Sequence, residues 1–254
     1  MKVVTLIENT SCRENVSFEH GLSLYIETEN HKILFDAGQS AAFADNAEKL
    51  GVDLKDVDFA VLSHGHYDHS GGLGRFLEIN QNAPVYVSSH AFEPHYSTNG
   101  YIGVNPALRD SNQIRYVAEE TMLAEGITLH QLQMVPMDTA GLMVEEKGER
   151  KPDDFRHEQY LLLEEKGKRI LISGCSHKGI LQIVDAFRPD ILIGGFHFMK
   201  IESETTLEAA AKKLLEYDTV YYTGHCTGQK QYDYLKEIMG EKLHYISAGT
   251  VLKL

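Results

Sequence analysis

Ser63-His64-Gly65-His66-Tyr67-Asp68-His69-Ser70-Gly71-Gly72 places three histidines and an aspartate within six positions, directly after the apolar run Val57-Asp58-Phe59-Ala60-Val61-Leu62. That run has the apolar and β-branched content of a buried strand, so the stretch reads as a strand end turning into a helix. His64 and His66 stand two apart on extended backbone and project to one side. Asp68 and His69 follow on the turn and face the same space from the other flank. Imidazoles and a carboxylate gathered this way suit a divalent cation, zinc first, with iron(II) or manganese also fitting.

The chain around this stretch has 254 residues, 43% of them hydrophobic. That is enough to bury a substantial core, and the expectation is one α/β domain over residues 1–254. No run of about 18 apolar residues offers a bilayer span, and Met1-Lys2-Val3-Val4-Thr5-Leu6-Ile7-Glu8 reads as a first strand without an export signal. Lys plus Arg number 24 against 37 Asp plus Glu, a formal charge of −13. This balance argues against nucleic acid as a general partner. Cys12, Cys175 and Cys226 form no even disulfide framework, which points to a reducing, cytoplasmic setting.

Upstream of the motif, Leu22-Ser23-Leu24-Tyr25-Ile26 and Lys32-Ile33-Leu34-Phe35 read as paired strands, the second ending in Asp36-Ala37-Gly38. Ser40 is a candidate N-cap for a short helix bearing Phe43, Ala47 and Leu50 and closed by Gly51. Downstream, Leu73, Phe76 and Leu77 put an apolar stripe on a helix behind the motif. After a strand at Pro84-Val85-Tyr86-Val87-Ser88, residues 90–122 mix aromatic, polar and Gly/Pro positions without a sustained period. That segment reads as an irregular part of an active-site rim. Ile127-Thr128-Leu129-His130 is a strand again, and residues 145–154 read as a second, charged and mobile loop.

The second half alternates regularly. Tyr160-Leu161-Leu162-Leu163 and Arg169-Ile170-Leu171-Ile172 flank a Lys166-Gly167 turn, and a helix carries Ile180, Ile183, Val184 and Phe187. Thr205 with Glu208 reads as a capping box for a helix with Leu207, Ala211, Leu214 and Leu215. Three strands in turn end in glycine followed by histidine, at Gly174-Cys175-Ser176-His177, Gly194-Gly195-Phe196-His197 and Gly224-His225. In layered α/β folds strand ends on one edge carry the active site, so these histidines are expected to join the cluster. His31, His95, His130 and His244 read as surface or loop residues. Tyr221, Tyr222, Tyr232 and Tyr234 read as packing residues.

His64-Gly65-His66-Tyr67-Asp68-His69 resembles the H-x-H-x-D-H signature of the metallo-β-lactamase superfamily. The resemblance implies an αβ/βα four-layer sandwich, two β-sheets flanked by helices, with metals at one edge. It further implies that Asp36 supports the metal histidines and that His225 is the last ligand. Where many relatives carry a bridging aspartate, this chain has Cys175, and His177 is the substitute ligand. His157, just before a strand, occupies a place where relatives carry a metal histidine, while its charged neighbours equally suit a surface or supporting role. Glu19-His20-Gly21-Leu22-Ser23, residues 174–180, Gly194-Gly195-Phe196-His197 and His225-Cys226-Thr227-Gly228 resemble the dihydropterin ribofuranosylaminobenzene phosphate synthase-like subgroup.

These readings imply a metal-dependent hydrolase with two divalent ions acting on a small phosphoester or acyl substrate. His64, His66 and a later histidine would hold one ion, and Asp68, His69 and His225 the other, with water activated between them. Asp68 is also read as catalytic, and His197 as the group contacting substrate or moving a proton. The expected partner is a small molecule, in the first instance phosphorylated, and not a membrane. A second reading is a transferase joining a dihydropterin pyrophosphate to an arylamine. A third is a redox or sensing protein built on Cys175 and Cys226.

Overall fold

The computed structural model describes residues 1–136, 139 and 141–254. The first sheet has seven strands, ordered Val251–Lys253, Lys2–Ile7, Ser23–Glu27, Lys32–Phe35, Phe59–Val61, Val85–Ser88 and Ile114–Val117. The second sheet also has seven, ordered Leu243–Tyr245, Val220–Thr223, Ile191–Ile193, Lys168–Ile172, Tyr160–Glu165, Ile127–His130 and Glu120–Ala124.

Side-chain alternation explains why the sheets stack. Val3, Ile33, Phe35 and Val61 of the first sheet meet Leu161, Leu163, Ile170, Ile172 and Ile193 of the second in one buried cluster. The alternate residues Val4, Leu34 and Ala60 face outward onto Phe43 of helix Ala42–Lys49 and Phe76 of helix Leu73–Ile79. On the far side, Tyr160, Leu162, Leu171 and Leu192 pack against Ile183, Leu207, Leu214 and Leu235. Those residues lie on helices Ile180–Phe187, Glu204–Leu214 and Gln229–Met239. The result is the four-layer αβ/βα sandwich. Each sheet has a run of parallel strands, Lys32–Phe35 to Ile114–Val117 in one and Lys168–Ile172 to Leu243–Tyr245 in the other. Parallel strands end at a common edge, and there the strand-end motifs gather.

Several expectations need correction. Residues 90–122 are irregular only in part: they contain strands His95–Ser97, Gly100–Tyr101 and Ile114–Val117 and the start of Glu120–Ala124. The charged segment 145–154 is mostly a hairpin, Met143–Glu146 with Glu149–Pro152. It joins His95–Ser97 and Gly100–Tyr101 in a four-stranded sheet. Their short strands carry too few alternating apolar residues to announce themselves. The N-cap position of the first helix is Ala41, one residue beyond Ser40. The Ser40 hydroxyl still accepts the N–H of Ala42, the first helical residue, at 3.1 Å, and donates to Glu19 Oε2 at 2.6 Å. The last-named capping box is displaced by two residues: Ser203 is the N-cap and accepts the Thr206 N–H. Among the described residues, no helix is long and apolar enough to cross a membrane.

Candidate metal centre

Asp36 organises the centre. It closes strand Lys32–Phe35 at φ 59°, a left-handed conformation uncommon for a non-glycine residue. Its Oδ1 accepts the Ser63 N–H at 2.7 Å, and its Oδ2 accepts the Ser63 hydroxyl at 2.7 Å and His69 Nδ1 at 2.6 Å. With its proton given to Asp36, the Ser63 hydroxyl accepts from His64 Nδ1 at 2.8 Å. His225 Nδ1 likewise donates to Asn9 Oδ1 at 2.9 Å. Three imidazoles thus commit their Nδ1 protons to oxygens, which leaves each Nε2 with a lone pair.

These lone pairs converge. His69 Nε2 lies 3.1 Å from His225 Nε2, and Asp68 Oδ2 lies 3.3 Å from His225 Nε2 and 3.8 Å from His69 Nε2. Ligand atoms around a tetrahedral zinc stand about 3.3 Å apart when the bonds are about 2.05 Å. His64 Nε2 and His177 Nε2 are also 3.3 Å apart. His64, His66 and His177 each offer an atom within 4.8 Å of the others, and all three are buried. His66 Nε2 and His177 Nδ1 are buried without a hydrogen-bond partner. Lone pairs facing one another at hydrogen-bond distance call for a positive charge between them, so the residues present fit a divalent cation at each triad.

Burial, joined by neighbouring histidines, holds His64, His66 and His177 well below the ordinary imidazole value, so they are neutral donors. Burial works against charge on His69 too, but the Asp36 and Asp68 carboxylates carry it up to about 9, so without a cation His69 holds a second proton on Nε2 that a bound metal would displace. Asp68 is likewise desolvated, yet His69, His20 and His225 keep it well below the usual carboxylate range.

The backbone supplies the convergence. Ser176, His197 and His225 have φ of 59°, 58° and 50°, so with Asp36 the four left-handed residues sit at four strand ends around one space. Strain of this kind needs support from its surroundings. Glu8 accepts the His225 N–H at 2.6 Å. Buried Glu158 accepts the His177 and Lys178 N–H groups at 2.7 and 3.1 Å. Gly174 lies so close to the motif that a Cβ there would meet Ser63 Oγ at 2.3 Å.

Every residue singled out from the sequence therefore lies at or against this centre. Cys175 Sγ is 3.2 Å from His69 Nε2, though burial pushes its thiol up, away from the thiolate. His197 sits with its ring centroid 4.3 Å from that of His177. His157 is fully buried, not a surface residue. Its Nδ1 accepts the Gly65 N–H at 2.8 Å, so its proton is on Nε2, 3.3 Å from Asp153 Oδ2. Neither nitrogen keeps a lone pair for a cation, and its place is in support.

Sequence reasoning missed part of the frame. His95, read as a surface or loop residue, is buried, and its Nδ1 donates to Asp153 Oδ2 at 2.8 Å. Asp153, in the segment expected to be a charged and mobile loop, is buried between His95 and His157, which hold it well below the carboxylate range against the effect of burial. The four-residue spacing of Asp153 and His157 before a buried strand was the available signal. Glu8, Asn9 and Glu158 carried no motif of their own, and His20, within the Glu19 to Ser23 stretch but without an expected role, places Nε2 3.3 Å from Asp68 Oδ2.

Comparison with known proteins follows the same lines. The family profile described as metallo-beta-lactamase superfamily matches residues 16–225. An uncharacterised protein of Methanocaldococcus jannaschii is 30% identical over 92% of this chain and 93% of its own length. From the same organism, the 7,8-dihydropterin-6-methyl-4-(β-D-ribofuranosyl)-aminobenzene-5′-phosphate synthase is 29% identical, covering 100% of this chain and 96% of its own. A solved structure described as a metal-dependent hydrolase of the β-lactamase superfamily superposes with a TM-score of 0.85 at 31% identity, covering 100% of this chain and 99% of its own.

Proposed function

We propose, because this chain belongs to the metallo-β-lactamase superfamily, that it is a metal-dependent hydrolase of a small phosphoester or acyl substrate. One observation carries this reading: two triads of donor atoms, His64 with His66 and His177 and Asp68 with His69 and His225, share one strand-end edge at ligand spacing. Divalent cations there would supply Lewis acidity, enough to activate water near neutral pH and to polarise a carbonyl or phosphoryl oxygen. Zinc suits the nitrogen-rich donor set, with iron(II) or manganese as alternatives.

The chain's own residues do the rest. Asp36 fixes the ring orientation of His69 directly and that of His64 through Ser63. Asp68, ionised throughout the neutral range, keeps a carboxylate oxygen within 3.3 Å of His20 and His225, where a substrate water's proton can be received. His197 stands beside His177 with a buried, unpartnered Nδ1 and serves as substrate contact or proton donor.

A second reading, transfer of a dihydropterin group from its pyrophosphate to an arylamine, draws support from the likeness to the M. jannaschii synthase. The test assays metal-loaded protein against acyl esters and phosphoesters. Hydrolysis that is lost with a chelator, restored by zinc, manganese or iron(II), and lost again in Asp68→Ala supports the hydrolase. Pyrophosphate released from a dihydropterin pyrophosphate only when an arylamine is present, with no ester turned over, supports the transferase.

A further inference from the structure

Beside the metal centre lies a cavity of about 530 Å³, within the size range of small-molecule pockets. Ile180, Phe196, Phe198, Met199, Ile201 and Ala209 give it walls that are mainly hydrocarbon. Ser176, His177, His197, Lys200, Thr206 and Cys226 supply the polar part of the lining. The two histidines join cavity and centre, because His177 turns Nε2 to within 3.3 Å of His64 Nε2. The other ring nitrogen, Nδ1, is buried and unpartnered, as is Nδ1 of His197, and His177 itself is only 5% exposed. The space thus pairs mainly apolar walls with a few polar groups on the side where His177 and His197 stand.

An occupant must match both features. A free phosphate would leave the walls in contact with water. A pterin would bring more ring-edge nitrogens and carbonyl oxygen than the few polar groups of these mainly hydrocarbon walls can hydrogen-bond. An acyl group meets both needs, its oxygen at the histidines and its chain along Ile180, Phe196, Phe198 and Ile201. We infer that this cavity is the acyl-chain site of the enzyme, so that the substrate is an ester or related acyl compound with an apolar chain. The inference rests on the hydrolase reading and selects its acyl branch.

The test is calorimetric binding of straight-chain carboxylates, butanoate to decanoate below their micelle concentrations, to the zinc-loaded protein. A carboxylate can meet the cations at any chain length, so the increment per carbon isolates the cavity. Affinity should rise about fourfold for each added CH₂, the equivalent of about 0.8 kcal/mol, until the cavity is filled. Ala209→Trp, at an exposed position on helix Glu204–Leu214, should fill the cavity and flatten the increment while the melting temperature stays unchanged. An affinity independent of chain length, or one that climbs equally in Ala209→Trp, overturns the inference. Failure of the two readings is separable. A chain-length increment without ester hydrolysis keeps the acyl site and removes the hydrolase, whereas hydrolysis indifferent to chain length does the reverse.

Discussion

Asp36 shows how one side chain sets the chemistry of several others. Its two oxygens take the Ser63 N–H, the Ser63 hydroxyl and His69 Nδ1, and through the hydroxyl it also fixes the proton of His64. Asp36→Asn keeps the volume but replaces one acceptor oxygen with a donor. Metal affinity should fall tenfold to a hundredfold, read by competition with a chromophoric chelator. An unchanged affinity would remove Asp36 from the account. His157 gives a pH dependence. Burial and the nearby His95 lower it to about 4 in the folded chain, against an ordinary value of 6.5. Below pH 6.5 the unfolded chain takes up a proton that the folded chain refuses until about pH 4. Stability of the metal-free protein should therefore fall as the pH drops through that window, by on the order of 3 kcal/mol from this residue. Urea midpoints at pH 7 and 4.5 measure the fall. His157→Gln should show a smaller fall than the parent, and an equal one contradicts the assignment.

At the scale of the elements, long periodic segments were legible and short ones were not. Leu161 and Leu163 against Tyr160 and Leu162 divide cleanly between the inter-sheet core and the helix-covered face, as period-two alternation requires. The strands at His95–Ser97 and Gly100–Tyr101 have three and two residues, too few for any period to be counted. The first is fixed instead by pairing with the hairpin around residues 147 and 148 and by the buried His95 to Asp153 bond, both long-range in sequence, and the second pairs back onto the first. The capping error at Thr205 has a local cause, since two Ser/Thr candidates stand within three residues and only the backbone turn distinguishes them. Ser203 has extended φ and ψ and accepts the Thr206 N–H at 3.2 Å, while Thr205 lies within the helix. Ser203→Ala should cost about 1 kcal/mol in urea unfolding, and Thr205→Ala less than about 0.5 kcal/mol. The reverse order would restore Thr205 as the cap.

For the whole molecule, the two-sheet architecture explains how residues far apart in sequence form one centre. Ser63 to His69 leave the first sheet, while His177, His197 and His225 leave the second, and the sheets meet at the edge where their parallel strands end. The motif histidines were legible because six adjacent positions carry them. The supporting acids Glu8 and Glu158 were not, because isolated carboxylates become recognisable only through burial and the N–H groups they receive. The central claim is that this edge holds two cations, one at each triad. It is tested most directly by anomalous scattering at the metal edge from crystals of the protein purified without chelator. The account predicts two peaks, one bonded to His64, His66 and His177 and the other to Asp68, His69 and His225. No peak at either triad, even after soaking in zinc, manganese or iron(II), would contradict it.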